Sequence, residues 1–114
     1  MTEHVHKHQE RDHKLCCNTA IQCAEECQHC ADACSENKPE CASLCRDCAD
    51  ICRLCTDFMN RGSRFATAIC QICADICLAC ASECEKHQDE HSQKCAEICR
   101  RCAEECRQMA TIAA

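Results

Sequence analysis

The chain has 114 residues, 20 of them cysteine, with one glycine, one proline, two phenylalanines and neither tryptophan nor tyrosine. That length suits one domain with one core, but a core of Cys and Ala is thin, because a free thiol packs only as a small hydrophobe. A formal charge of -6, with no basic block and no aromatic platform, argues against a nucleic-acid partner.

Residues 1–13, MTEHVHKHQERDH, are polar and carry His4, His6, His8 and His13. They contain no apolar run, so no secretory signal is expected. No stretch reads as long enough to span a membrane. The expected compartment is the cytosol, where thiols stay reduced. The segment reads as a solvated tail or an extra helical turn. A metal-capturing histidine cluster is the weaker reading, since no apolar face organises it.

A first helix is predicted from Lys14 to about Ser35, and the stretch SENKPE ends it. Pro39 cannot continue a helix but suits the first turn of the next, which runs to about Asn60. Gly62 is placed to terminate that second helix in a left-handed conformation. Ser63 reads as the N-cap of a third helix reaching about Lys86. The polar run HQDEHS makes the last turn, and a fourth helix spans about His91 to Met109.

One pentapeptide, Cys-Ala-x-x-Cys, organises all four helices. It opens at Cys23, Cys30, Cys41, Cys48, Cys73, Cys80, Cys95 and Cys102, and closes at Cys27, Cys34, Cys45, Cys52, Cys77, Cys84, Cys99 and Cys106. Only Cys16, Cys17, Cys55 and Cys70 lie outside it. Along the second helix the cysteines step 41, 45, 48, 52, 55, and along the third 70, 73, 77, 80, 84. Alternating steps of four and three form the a/d seam of a heptad pattern, with charged residues such as Glu25, Asp47, Asp75 and Glu104 off it. Four helices with short turns and one inward stripe each predict an all-α, antiparallel, up-down-up-down four-helix bundle with a Cys-lined core.

Disulfides fit this spacing poorly. Side chains four apart on a helix have Cβ atoms ~5–6 Å apart, whereas a disulfide needs about 3.5–4.5 Å. Zn(II) prefers isolated tetrahedral sites of four ligands, and each tetrathiolate would leave two net negative charges in a narrow lumen, a costly burial. Cu(I) is soft and selects thiolate and thioether ligands, and one ion per thiolate is charge-neutral. Each bound ion then displaces about one proton. A Zn(II) or general soft-metal thiolate buffer remains an alternative. So does a thiol redox protein, although redox CxxC pairs act at helix N-termini. A chaperone would need an exposed site. No catalytic constellation is visible, so no enzyme activity is expected.

Paired Cys-Ala-x-x-Cys units on four helices resemble the cytosolic branch of the four-helix-bundle copper storage proteins, over Lys14 to Met109. The resemblance implies many Cu(I) ions bound as thiolate-bridged species by the lumen cysteines, and a homotetramer in the bacterial cytosol. The His-rich start has no match in that pattern.

Extending each seam by one step reaches additional candidate ligands. His13, Met59 and Met109 fall at one mouth and read either as a port for copper or as helix-end packing by Met beside an exposed His. His87 and His91 fall at the other, where either one of them ligates an outer ion or both are loop histidines. Cys17 sits beside the seam at the Met end, and His29 on the outer face. Leu44, Ile51, Leu54 and Phe58, with Ile69, Ile72 and Ile76, form a second apolar stripe on helices 39–60 and 63–86. That stripe suggests homo-oligomerisation through those two helices, or else a wider contact between them.

Overall fold

The computed structural model describes the backbone of residues 2–34 and 36–113 and the side chains of residues 13–34 and 36–111. It consists of helices α1 (Thr2–Cys34), α2 (Pro39–Asn60), α3 (Ala66–Cys84) and α4 (Glu90–Ala113). Among the described residues there is no strand. α1 packs on α2 and α4, and α3 on the same two, so the diagonal pairs α1/α3 and α2/α4 keep their backbones apart and meet only through side chains in the lumen. Consecutive helices are antiparallel, because each step up α2 in the α2–α3 thiol pairs is matched by an equal step down α3, from Cys41–Cys84 to Cys55–Cys70. The result is the up-down-up-down bundle, 53 × 21 × 17 Å.

Local chemistry explains the helix ends. Pro39 occupies the first turn of α2, where its missing N–H costs nothing. At the other end of α2, Gly62 has φ +64°, and the Ser63 and Gly62 amides donate to Phe58 O and Met59 O at 3.0 and 3.1 Å. This is a Schellman closure. Ser63 serves both helices: its amide closes α2, while its Oγ accepts the Phe65 amide at 3.1 Å as a cap does, and the regular turns of α3 begin at Ala66. α4 begins at Glu90 because Asp89 caps it, its carboxylate accepting the Ser92 amide at 3.2 Å. α1 runs back to Thr2, well before Lys14, and α4 on to Ala113. The side chains of His4, His6 and His8 lie outside the described residues.

One helix departs from the hydropathy expectation. α3, with 19 residues and a mean hydropathy of 1.4, is long and apolar enough to cross a bilayer by length and composition. Part of that apolarity is the seam, since Cys70, Cys73, Cys77, Cys80 and Cys84 are all buried inside the bundle. The rest comes from alanine, leucine and isoleucine, of which Ile69 and Ile76 pack against the core and Ile72 is exposed.

All eight alanines of the pentapeptide (Ala24, Ala31, Ala42, Ala49, Ala74, Ala81, Ala96, Ala103) are at most 3 % exposed. Each follows the first cysteine of its unit and so flanks the seam, where neighbouring helices meet. Leu44, Ile51, Ile69, Ile76 and Ile98 fill the remaining inter-helix contact. The outward stripe read from sequence is thus largely absorbed within the bundle. Leu54 and Ile72 stay exposed, at 40 and 47 %.

Candidate metal centre

All 20 cysteines are free and buried. Sixteen owe this to the heptad register of the repeat, and Cys16, Cys17, Cys55 and Cys70 extend the same interior toward the end holding the C-terminus of α2. The thiols stack as rungs. Between α2 and α3 the Sγ–Sγ separations are 3.7 Å (Cys41–Cys84), 3.7 Å (Cys45–Cys80), 3.5 Å (Cys48–Cys77), 3.8 Å (Cys52–Cys73) and 3.5 Å (Cys55–Cys70). Between α1 and α4 they are 3.8 Å (Cys16–Cys106), 3.7 Å (Cys23–Cys99) and 3.6 Å (Cys27–Cys95). Cross-links such as Cys48–Cys99 and Cys45–Cys95, both 3.8 Å, join the two ladders.

Two buried positions on this seam are not cysteine. Ala20 lies between Cys16 and Cys23, and Ser92 lies one step before Cys95; both are 0 % exposed. Ser92 Oγ stands 3.9 Å from Cys30 Sγ, in the place of a rung partner. Continuing the spacing through every seam position would have found both.

The sulfurs gather into groups of four whose atoms lie within 4.8 Å of one another. Tetrahedral metal–sulfur bonds of about 2.3 Å put sulfurs about 3.8 Å apart, so the rungs already stand at ligand spacing. The groups overlap. Cys30, Cys45, Cys84 and Cys95 share Cys95 with the group Cys27, Cys80, Cys95 and Cys99, which shares Cys27 and Cys99 with Cys23, Cys27, Cys48 and Cys99. That group shares Cys23 and Cys48 with Cys23, Cys48, Cys52 and Cys77, and the series continues through Cys52 and Cys77 to Cys73 and Cys102. A sulfur shared by two groups stands where a bridging ligand would, so these groups form a connected donor array rather than a set of separate cages.

Charge decides what this array can hold. Among the described residues the buried polar side chains are Thr19, Thr56 and Ser92, and no buried cation is present. A thiolate created there would face low dielectric and other thiolates, both of which disfavour ionisation. Burial pushes the Cys41 thiol up to about 12. Cys17 is raised to about 11 by burial and by the neighbouring Cys16 and Cys55; its Sγ donates to Asn60 Oδ1 at 3.6 Å. Cys30 goes the other way, to about 5, because hydrogen bonds from Cys45 and Cys84 favour its thiolate. Hydrogen bonds from neighbouring thiols lower Cys48 and Cys95 likewise, so protonated and ionised sulfurs stand side by side, and a soft monovalent cation bound at a protonated one would displace its proton.

The two mouths differ. At the loop end, His91 Nδ1 lies 4.0 Å from Cys34 Sγ, while its Nε2 sits 2.7 Å from Asp89 Oδ2. Asp89 is paired with Lys38, which holds its carboxyl well below the usual carboxylate range, with help from Ser92. A histidine with one ring nitrogen fixed by a carboxylate and the other facing a thiol has the second-shell arrangement of a metal ligand. His87 is directed elsewhere, its Nε2 3.2 Å from Glu83 Oε2. His29 is exposed, its ring 6.5 Å from that of His91. At the opposite end Met59 is buried, and Met109 is partly buried against the core. His13 is partly buried there.

An all-helical bundle whose interior is one unbroken array of free thiols defines a soft-metal thiolate protein. The particular family follows from comparison: the chain belongs to the copper storage protein family (Csp), whose profile matches residues 8–111. Solved structures agree with this. The Cu(I)-bound copper storage protein BsCsp3 shares 43% identity, over 87% of this chain and 98% of that one, with a TM-score of 0.83. The apo form of copper storage protein 3 from Bacillus subtilis shares 47%, over 83% and 95%, at 0.80. A cytosolic copper storage protein from Streptomyces lividans, with five coppers, shares 31%, over 90% and 95%, at 0.85. No sequence among curated proteins matches the chain.

Proposed function

We propose that this protein stores Cu(I) without catalysing a reaction, binding about one ion per cysteine through the thiolates of all 20 lumen cysteines. The observation that carries the reading is the overlap of the four-sulfur groups. Bridging sulfurs suit many closely spaced monovalent ions. Isolated divalent tetrahedral sites would leave the shared sulfurs over-committed and the lumen strongly negative. The cytoplasm is the proposed compartment, supported by 20 free thiols that need reducing surroundings and by the cytosolic Streptomyces relative. His91 is the proposed outer ligand at the loop end, alongside Cys34, because its imidazole is already oriented there.

X-ray absorption at the copper edge of anaerobically loaded protein tests this. The expected first shell is sulfur, with a minor nitrogen component that decreases in His91→Gln. A shell dominated by nitrogen or oxygen would overturn the storage reading. An unchanged spectrum in His91→Gln would overturn the role of His91 alone.

A homo-oligomer is the second part of the proposal, supported by the exposed Leu54 on α2 and by Ile72 and Phe65 on and before α3. The tetramer is implied by the resemblance. Sedimentation equilibrium is expected to give a mass that is a multiple of the 12.8 kDa chain and to fall to that of one chain in Leu54→Glu/Ile72→Glu. A monomeric unmutated protein would sink the idea.

A further inference from the structure

We propose that the cleft at the loop end, between the α1–α2 turn and the end of α3, binds small cysteinyl thiols and lets them exchange Cu(I) with the Cys41–Cys84 rung. The ligand class is an amino-acid or short-peptide thiol that carries both an ammonium and a carboxylate. The inference rests on the Cu(I) reading and adds a route by which stored ions leave.

Cys41 lines this cleft, about 270 Å³ in volume, together with Asn37, Lys38, Glu40, Glu83 and His87. The clefts along the α1–α4 and α1–α2 grooves have no cysteine in their lining. Cys41 is 1 % exposed, so the cleft stops at the thiol array without opening it. Behind Cys41 the array is continuous. Its Sγ stands 3.7 Å from Cys84 Sγ, which stands 3.8 Å from Cys45 Sγ. An ion taken from the outer rung is therefore replaced from the next.

Charge and size select the ligand. The Glu83 carboxylate is committed, one oxygen to Lys86 at 3.3 Å and the other to His87 at 3.2 Å. The Lys38 ammonium pairs with Asp89 and keeps N–H donors to spare. Glu40, on the first turn of α2, is exposed and has no ion-pair partner among the described residues. A free carboxylate and an ammonium with spare donors on one small cleft complement a zwitterion. The volume is below the roughly 300–1,000 Å³ of a site that encloses a drug-sized molecule. It therefore admits one amino-acid-sized group and leaves the rest of a peptide in solvent. The thiol is the part that reaches inward, because soft Cu(I) selects sulfur. In the exchange the incoming sulfur bonds to copper and the copper–Cys41 bond breaks. The proton lost by the incoming thiol passes to the Cys41 sulfur, and no electron changes hands.

Anaerobic transfer of Cu(I) from the loaded protein to a bulky chromophoric chelator tests this, with L-cysteine, glutathione or 2-mercaptoethanol added. The rate with L-cysteine is expected to rise to a plateau, several-fold above the rate with uncharged 2-mercaptoethanol, and to fall to the latter in Glu40→Gln. A plateau with glutathione as well extends the ligand class to peptides, and a plateau with L-cysteine alone confines it to the amino acid. S-methylcysteine, which cannot form a thiolate, reads the cleft without copper. In the ¹⁵N-labelled apo chain it is expected to shift the Asn37 side-chain amide saturably. Equal, linearly rising rates for L-cysteine and 2-mercaptoethanol, or an unmoved Asn37 amide, overturn the site and leave storage intact. A chain that takes up no Cu(I) overturns the storage reading and the exchange with it.

Discussion

Anaerobic titration with Cu(I) against a chromophoric competitor is expected to saturate near 20 ions, one per cysteine, and the loaded protein to unfold at a temperature higher by tens of degrees. The size of the shift follows from linkage. An ion held at a free concentration a hundred times its dissociation constant adds about 2.7 kcal/mol. Each kcal/mol raises the midpoint of a domain this small by roughly 4–8 °C, so the first few ions already dominate the stability. Uptake should release up to about one proton per ion, because burial keeps thiols such as Cys17 and Cys41 neutral without metal, and affinity should therefore fall as pH is lowered. Saturation near five ions, or a midpoint that does not move, would count against the bridged array and in favour of separate tetrahedral sites.

The second large effect concerns a residue with no donor atom. Ala49 is 0 % exposed and sits between the Cys48 and Cys52 rungs, both part of the shared-sulfur series. Ala49→Leu adds three carbons where neighbouring helices meet. Overpacking of this kind costs about 1–3 kcal/mol, which corresponds to a midpoint lower by roughly 4–24 °C. The same side chain should spread the Cys48–Cys77 and Cys52–Cys73 pairs and reduce copper capacity at the centre of the lumen. Thermal unfolding of the apo protein and the same titration check the two effects independently. Wild-type stability together with wild-type capacity would show that the alanines are not what sets the sulfur spacing.

Much of this molecule was legible in its sequence. The 4-3 alternation of Cys41, Cys45, Cys48, Cys52 and Cys55 can place all five thiols on one side only in a helix. With Pro39 and Gly62 at the turns, four such stripes admit one arrangement. The Cys-Ala-x-x-Cys repeat also pointed to the family. Helix ends were less legible, because they depend on competition for backbone groups: Ser63 closes α2 with its amide and caps the next turn with its Oγ, and α3 starts only at Ala66. The hydropathy of α3 misleads for a related reason, since composition does not record which side of a helix faces inward.

The donors at the mouths divide the same way. His87 and His91 are equivalent by position, and only packing turns His87 to Glu83 and His91 to Cys34 and Asp89. The sequence by itself determined the period, the inward stripe and the number of thiols, because these are properties of a single helix. The tertiary structure decided which sulfurs are shared, how close the rungs between α2 and α3 stand, from 3.5 to 3.8 Å, and that His13 Nε2 is left without a partner. Those are distances between helices, and they depend on side chains far apart in the chain meeting at a register that no local spacing specifies.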